Sequence, residues 1–182
     1  MTAATDYAPG LAIQGFTPPL RLQDFGLVAF DMDSTLINIE CVDEIAAAAG
    51  RKEQVAAITE AAMRGEITDY KASLRARVAL LAGVRVEYLQ QVWDERLQLN
   101  PGAERLVAAC KAAGLKTLLV SGGFTFFTDR VRDRLGIDTT RSNVLEVADG
   151  ALTGRLVDQP WGDICDGEEK RRMLLATCEQ LG

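Results

Sequence analysis

The chain has 182 residues, enough for one sizeable domain or for a domain carrying a modest insertion. It is 48% hydrophobic and 25% charged with a net charge of -6, an ordinary globular composition that argues against a nucleic-acid-binding surface. Histidine is absent, which excludes Ser-His and Cys-His catalysis and histidine-based metal sites.

Residues 1 to about 23 contain Pro9-Gly10 and Pro18-Pro19 and little periodicity, so they read as an extended lead-in. Leu27 to Phe30 is a short apolar run, a buried strand that stops at Asp31-Met32-Asp33-Ser34-Thr35. From Cys41 to about Gln98 the pattern turns helical. Val55, Ile58 and Ala62 form one stripe, Tyr70, Leu74, Val78 and Leu81 another, and Val86, Leu89, Trp93 and Leu97 a third. With the alanine run before Gly50, this predicts a bundle of about four short helices inserted after the first strand. Asn100-Pro101-Gly102 reads as the start of the next helix, with Asn100 as its N-cap. Lys116 to Val120 is a second buried strand, stopping at Ser121-Gly122-Gly123, and a helix ending at Gly136 follows. Strand, glycine turn and helix in that order mark an α/β fold. Asp149-Gly150 between two apolar stretches predicts a β-hairpin, and the last element, Gly167 to Leu181, is a helix.

The four cysteines, Cys41, Cys110, Cys165 and Cys178, are widely spaced and read as free thiols in a reducing compartment. No apolar run approaches the roughly 20 residues that span a membrane. The N-terminus lacks the basic start and apolar core of a signal peptide, so a cytoplasmic location is expected.

Three stretches carry the chemistry. In an open parallel sheet, ligands bind beyond the carboxyl ends of the strands, which is where Asp31 and Asp33 fall. An Asp-rich turn that merely caps a helix through Ser34 or Thr35 has the same residues. Ser121-Gly122-Gly123 places backbone amides and a hydroxyl at the end of a second buried strand, as a phosphate cradle does. A tight turn with Ser121 as a cap also satisfies the pattern. Lys170 stands at a helix start, where a cation opposes the helix dipole.

Together these residues resemble the haloacid dehalogenase superfamily of aspartate-nucleophile phosphatases: D-x-D-S-T, then a Ser at a strand end, then a Lys at a helix start. "DMDSTLINIECVDEIA", "EAAMRGEI", "SLRARVALL", "SGGFTFF" and "DGALTG" narrow the resemblance to the phosphoserine phosphatase family, from about Val28 to Lys170. The resemblance implies a Rossmannoid parallel-sheet core over 24–40 and 99–182 with a β-hairpin, and a small helical-bundle cap over 41–98, after the lead-in 1–23. It implies Mg²⁺-dependent hydrolysis of O-phospho-L-serine through an aspartyl-phosphate, in L-serine biosynthesis. Asp31 would be the nucleophile and Asp33 the general acid and base. Mg²⁺ would be held by the Asp31 carboxylate and the Asp33 backbone carbonyl. Ser121, Gly122 and Lys170 would hold the phosphoryl group. Glu40 would take the substrate ammonium and Arg77 its carboxylate, while Met63 and Tyr70 line the pocket. The expected partner is a small phosphate ester, with no nucleic acid and no membrane.

One family motif, G-D-G-x-N-D after the Lys170 helix, is missing, and with it the third protein ligand to the metal. The expectation is therefore a chain truncated before its fourth motif, with the C-terminal part of the core missing and an exposed strand edge that favours a homo-oligomer. Related small-molecule phosphatases or phosphotransferases, and an inactive phosphate-binding remnant, are the alternatives.

Overall fold

The computed structural model describes residues 5–9, 11–13 and 19–182; for residues 5–8, 11–13, 62 and 63 it describes the backbone alone. Within the lead-in, β1 (Thr5–Ala8) and β2 (Leu11–Ile13) pair antiparallel as a two-stranded sheet, where sequence periodicity had suggested only extended chain. Apart from Pro9, the rest of that stretch before Pro19 lies outside the described residues.

The main sheet has four strands: β3 (Leu27–Phe30), β4 (Lys116–Phe124), β5 (Thr139–Ala148) and β6 (Ala151–Val157), in that spatial order. β3, β4 and β5 run parallel, with Leu27 opposite Lys116 and Leu118 opposite Thr139, and β6 returns antiparallel to β5. β4 is buried from Thr117 to Ser121, as its continuous apolar run requires of a strand covered on both faces. The β5–β6 turn holds Asp149 at φ 50 and Gly150 at φ 72, the two positive angles of a tight hairpin.

Between β3 and β4 come α1 (Cys41–Ala48), α2 (Lys52–Met63), α3 (Tyr70–Ala79) and α4 (Glu87–Glu95), and then α5 (Ala103–Ala112). α6 (Thr125–Leu135) follows β4, and α7 (Gly167–Leu181) ends the described chain. The helices of the insertion and the sheet share one core. Ile45, Leu74 and Val78 from the helices are buried in the same cluster as Met32, Phe124 and Phe127. Gly154 on β6 lets α3 come close, since a Cβ there would stand 2.9 Å from Ala82 Cβ and 3.1 Å from the Ala79 carbonyl oxygen. That contact seats the helical insertion against the end of the sheet.

Three local expectations change. Asn100 does not cap α5, whose N-cap is Gly102 at φ 91. Its side-chain amide instead donates to the carbonyls of Thr35, 2.8 Å, and Ile37, 3.0 Å, holding the exit of the acidic loop. β4 does not stop at Val120 but runs on to Phe124, with a register shift against β5 between Val120 and Phe124. Ser121, Gly122 and Gly123 lie opposite Ser142 alone, a bulge that re-aims side chains at the sheet's edge. β5 begins at Thr139, earlier than the hairpin pattern suggests, because its first residues pair with β4 and its last with β6.

Candidate active site

The acidic loop is shaped by one carbonyl. Met32 oxygen accepts the amides of Thr35, Leu36 and Ile37 at 3.1, 2.9 and 3.1 Å, while its side chain is fully buried. Ser34 takes the left-handed conformation at φ 52 to close the turn. With Met32 anchored in the core, Asp31 and Asp33 on either side of it both reach one cavity. Asp31 Oδ1 accepts the Met32 amide at 2.8 Å, and Oδ2 accepts Lys170 Nζ at 2.5 Å. Asp33 is half-buried and accepts from the Cys41 thiol at 3.1 Å and the Cys41 amide at 3.3 Å. Burial pushes its carboxyl up to about 6, against the opposing pull of those Cys41 bonds.

The second segment is the β4 bulge. Ser121 is fully buried, and its Oγ accepts the Gly123 amide at 2.9 Å, which leaves the hydroxyl proton free to donate. Asn143 on β5 donates to the Gly122 carbonyl at 2.7 Å and accepts the Cys165 amide at 2.8 Å. The third segment is the start of α7. Asp166 caps it by accepting the Glu169 amide at 2.9 Å, and Lys170 projects from the first turn. Arg141 of β5 pairs with Glu169, which is 1% exposed, so β5 also grips α7 one residue from Lys170.

The helical insertion supplies the opposite wall. Glu40 precedes α1 and accepts the Ser34 hydroxyl at 2.7 Å. Arg77 comes from α3, and its Nε is buried with no hydrogen-bond partner among the described residues. Asp43 lies close enough to feel the Arg77 charge, but burial outweighs that attraction and raises its carboxyl. Tyr70, the first residue of α3, is 44% exposed at the rim, yet its hydroxyl end faces Gly122. Loss of water around that end pushes it up to about 12. An ion-pair bridge closes this side: Lys71 Nζ meets Asp163 at 2.8 Å and Asp166 at 3.5 Å, and Arg75 pairs with Asp163.

These walls enclose a cavity of about 280 Å³. Asp31, Asp33, Glu40, Tyr70, Arg77, Ser121, Gly122 and Lys170 all line it. Met63 ends α2, and its side chain lies outside the described residues. Sequence reasoning did not single out Asn143, Cys41, Asp166 or the Lys71–Asp163 bridge. Asn143 and Lys71 have partners far along the chain, whereas Cys41 lies close to the D-x-D loop and Asp166 stands three residues before Glu169, both usable signals.

A cavity with two carboxylates, a lysine, a hydroxyl and glycine amides can position an anion against a nucleophile. No group of three or more acidic or cysteine side chains able to hold a metal lies among the described residues. The Asp31 carboxylate and the Asp33 carbonyl, to which no described residue donates a hydrogen bond, are nevertheless hard oxygen donors on one loop. Such a pair suits Mg²⁺, which takes one or two protein oxygens plus phosphate and keeps its waters.

The model of the haloacid dehalogenase-like hydrolase family matches residues 28–182. A phosphoserine phosphatase from Albidiferax ferrireducens is 76% identical over 178 residues, which are 98% of this chain and 75% of that protein. Among solved structures, the unliganded probable phosphoserine phosphatase from Vibrio cholerae superposes with a TM-score of 0.75 at 43% identity. It covers 88% of this chain, which spans about half of that one, 48%. A phospho-aspartyl intermediate analogue of phosphoserine phosphatase superposes at 0.74 with 34% identity, covering 86% of this chain and 73% of its own.

Proposed function

The chain belongs to the haloacid dehalogenase-like hydrolase family, and on that premise we propose that it hydrolyses O-phospho-L-serine to L-serine and phosphate. The observation that carries the reading is the Lys170–Asp31 contact inside a cavity that also holds Ser121 and Asp33. A lysine there lowers the cost of bringing a carboxylate to a phosphate dianion, whose uncatalysed hydrolysis is slow enough to allow acceleration of up to about 10²¹-fold.

An Asp31 oxygen attacks phosphorus as the bond from phosphorus to the serine oxygen breaks. Asp33, whose burial holds a proton up to about pH 6, donates it to the leaving alkoxide. Asp33 then accepts a proton from water, whose oxygen bonds to phosphorus as the bond to Asp31 breaks. Both aspartates return to their starting states. The Ser121 hydroxyl and Lys170 hold the phosphoryl oxygens throughout. Mg²⁺, held by the Asp31 carboxylate and the Asp33 carbonyl, would offset the phosphoryl charge. Glu40 and Arg77 select a zwitterion, Arg77 through the fork geometry of its guanidinium. The product serves amino-acid biosynthesis in the cytoplasm; no helix among the described residues is long and apolar enough to cross a membrane.

Phosphate release from O-phospho-L-serine in Mg²⁺ tests this. Asp31→Asn should abolish turnover, and Arg77→Ala should raise KM for O-phospho-L-serine while sparing p-nitrophenyl phosphate. Turnover surviving in Asp31→Asn rejects the nucleophile; equal loss on both esters in Arg77→Ala rejects amino-acid recognition.

A further inference from the structure

The phosphoryl group in the proposed reaction is held from two chain segments that share no strand pairing with each other: the Ser121–Gly123 bulge and the first turn of α7. They must keep a fixed separation, because a misplacement of about 1 Å can cost about 10²-fold in rate. One side chain joins them. Asn143 is 1% exposed and sits on β5 opposite Phe124, at the end of the bulge. Its Nδ2 donates to the Gly122 carbonyl at 2.7 Å and the Gly123 carbonyl at 3.3 Å. Its Oδ1 accepts the amide of Cys165 at 2.8 Å, one residue before the N-cap of α7.

We propose that Asn143 is a positioning residue, which locks the Gly122–Gly123 bulge and the α7 start into one phosphate-binding unit. The inference rests on the reading that Ser121, Gly122 and Lys170 hold the phosphoryl group. Every polar atom of the Asn143 side chain faces one of the two segments. By tying down the Gly122 carbonyl it orients the Gly122–Gly123 peptide unit, whose amide donates to Ser121 Oγ at 2.9 Å, and so sets the hydroxyl that holds the phosphoryl group. The two side chains of nearest size and shape fail at one end or at both. Aspartate accepts from Cys165 but has no proton for the carbonyls, and places a negative charge against them. Leucine matches the volume and satisfies neither.

Asn143→Asp and Asn143→Ala should lower kcat on O-phospho-L-serine about 10- to 100-fold. The inhibition constant of inorganic phosphate should rise about tenfold or more, while that of L-serine, which meets the other wall, stays within twofold. Thr128→Ala is the structural control, since it deletes the buried Thr128–Ser142 hydrogen bond one residue along β5 without touching either segment. Its melting temperature should fall about as far as that of the Asn143 variants, with phosphate inhibition unchanged. Phosphate inhibition within twofold of the parent in a folded Asn143 variant overturns the proposal, as do phosphate and serine constants that move together. Loss of a cooperative melt in both Asn143 variants also overturns it, because the residue would then be holding the core. If the parent chain neither turns over O-phospho-L-serine nor is inhibited by phosphate, the functional reading fails instead.

Discussion

Gly122 is a glycine because of what stands opposite it, and Gly122→Ala puts that to the test. Its backbone is outside the left-handed region, so alanine meets no conformational penalty there. A Cβ would, however, lie 2.1 Å from the Tyr70 hydroxyl oxygen, 3.2 Å from Tyr70 Cζ and 3.6 Å from the Cys165 carbonyl oxygen. The first distance is roughly an ångström or more inside ordinary contact, so one of the two groups must move. Overpacking costs about 1–3 kcal/mol where nothing can yield. Tyr70 is 44% exposed and can swing outward, so the stability loss should fall near the low end, about 1 kcal/mol. The larger effect is on the reaction, since a displaced Tyr70 uncovers the rim and disturbs the cradle. A loss of about 1–2 kcal/mol of transition-state stabilisation lowers kcat/KM roughly five- to thirtyfold. Tyr70→Phe removes the offending oxygen and leaves the 3.2 Å contact to Cζ, which a shift of a few tenths of an ångström relieves. In that background Gly122→Ala should therefore cost less than about twofold. A double-mutant cycle on kcat/KM reads the coupling directly. Equal losses from Gly122→Ala in both backgrounds, a coupling below about 0.3 kcal/mol, refute the reasoning.

Asp33→Asn should lower kcat about 10²- to 10⁴-fold on O-phospho-L-serine, whose alkoxide needs a proton, and far less on p-nitrophenyl phosphate. Equal loss on both esters means that Asp33 is not the acid. The thiols give a test that needs no turnover. Burial pushes Cys165 up to about 12 and Cys41 well above its usual range. At pH 8 roughly one Cys165 in ten thousand is then thiolate, and Cys110 is buried as well. Exposed Cys178 should be the one thiol of the four that reacts rapidly with a disulfide reagent in the folded chain. A second fast thiol, counted by mass, contradicts the burial.

Much of the fold was legible because its signals are local. The apolar run that stops at Asp31 is short enough to read as a strand, although β3 is part-buried and not fully buried, and the stripes of α3 and α4 specify helices by spacing. Asp149-Gly150 specifies its own turn, with both residues at positive φ. The family resemblance then pointed to side chains that the structure collects in one cavity. What the sequence could not reveal depends on partners distant along the chain. Asn100 has the look of an N-cap, but tertiary packing put the Thr35 and Ile37 carbonyls within its reach. The run from Lys116 to Val120 reads as ending at a polar Ser-Gly-Gly turn, yet pairing with β5 carries the strand on through the bulge.

By itself, the sequence determined the order of strands and helices from β3 onward, the acidic loop at the end of β3, and the family to which they belong. Those follow from hydrophobic periodicity, turn chemistry and motif, each written within a few residues. The tertiary structure alone decided that Asn143 would join the Ser121–Gly123 bulge to Cys165, that Lys170 would meet Asp31, and that Tyr70 would face Gly122. Each of those contacts is a few ångströms long between residues dozens of positions apart, and only the close packing of helices on the sheet brings them together.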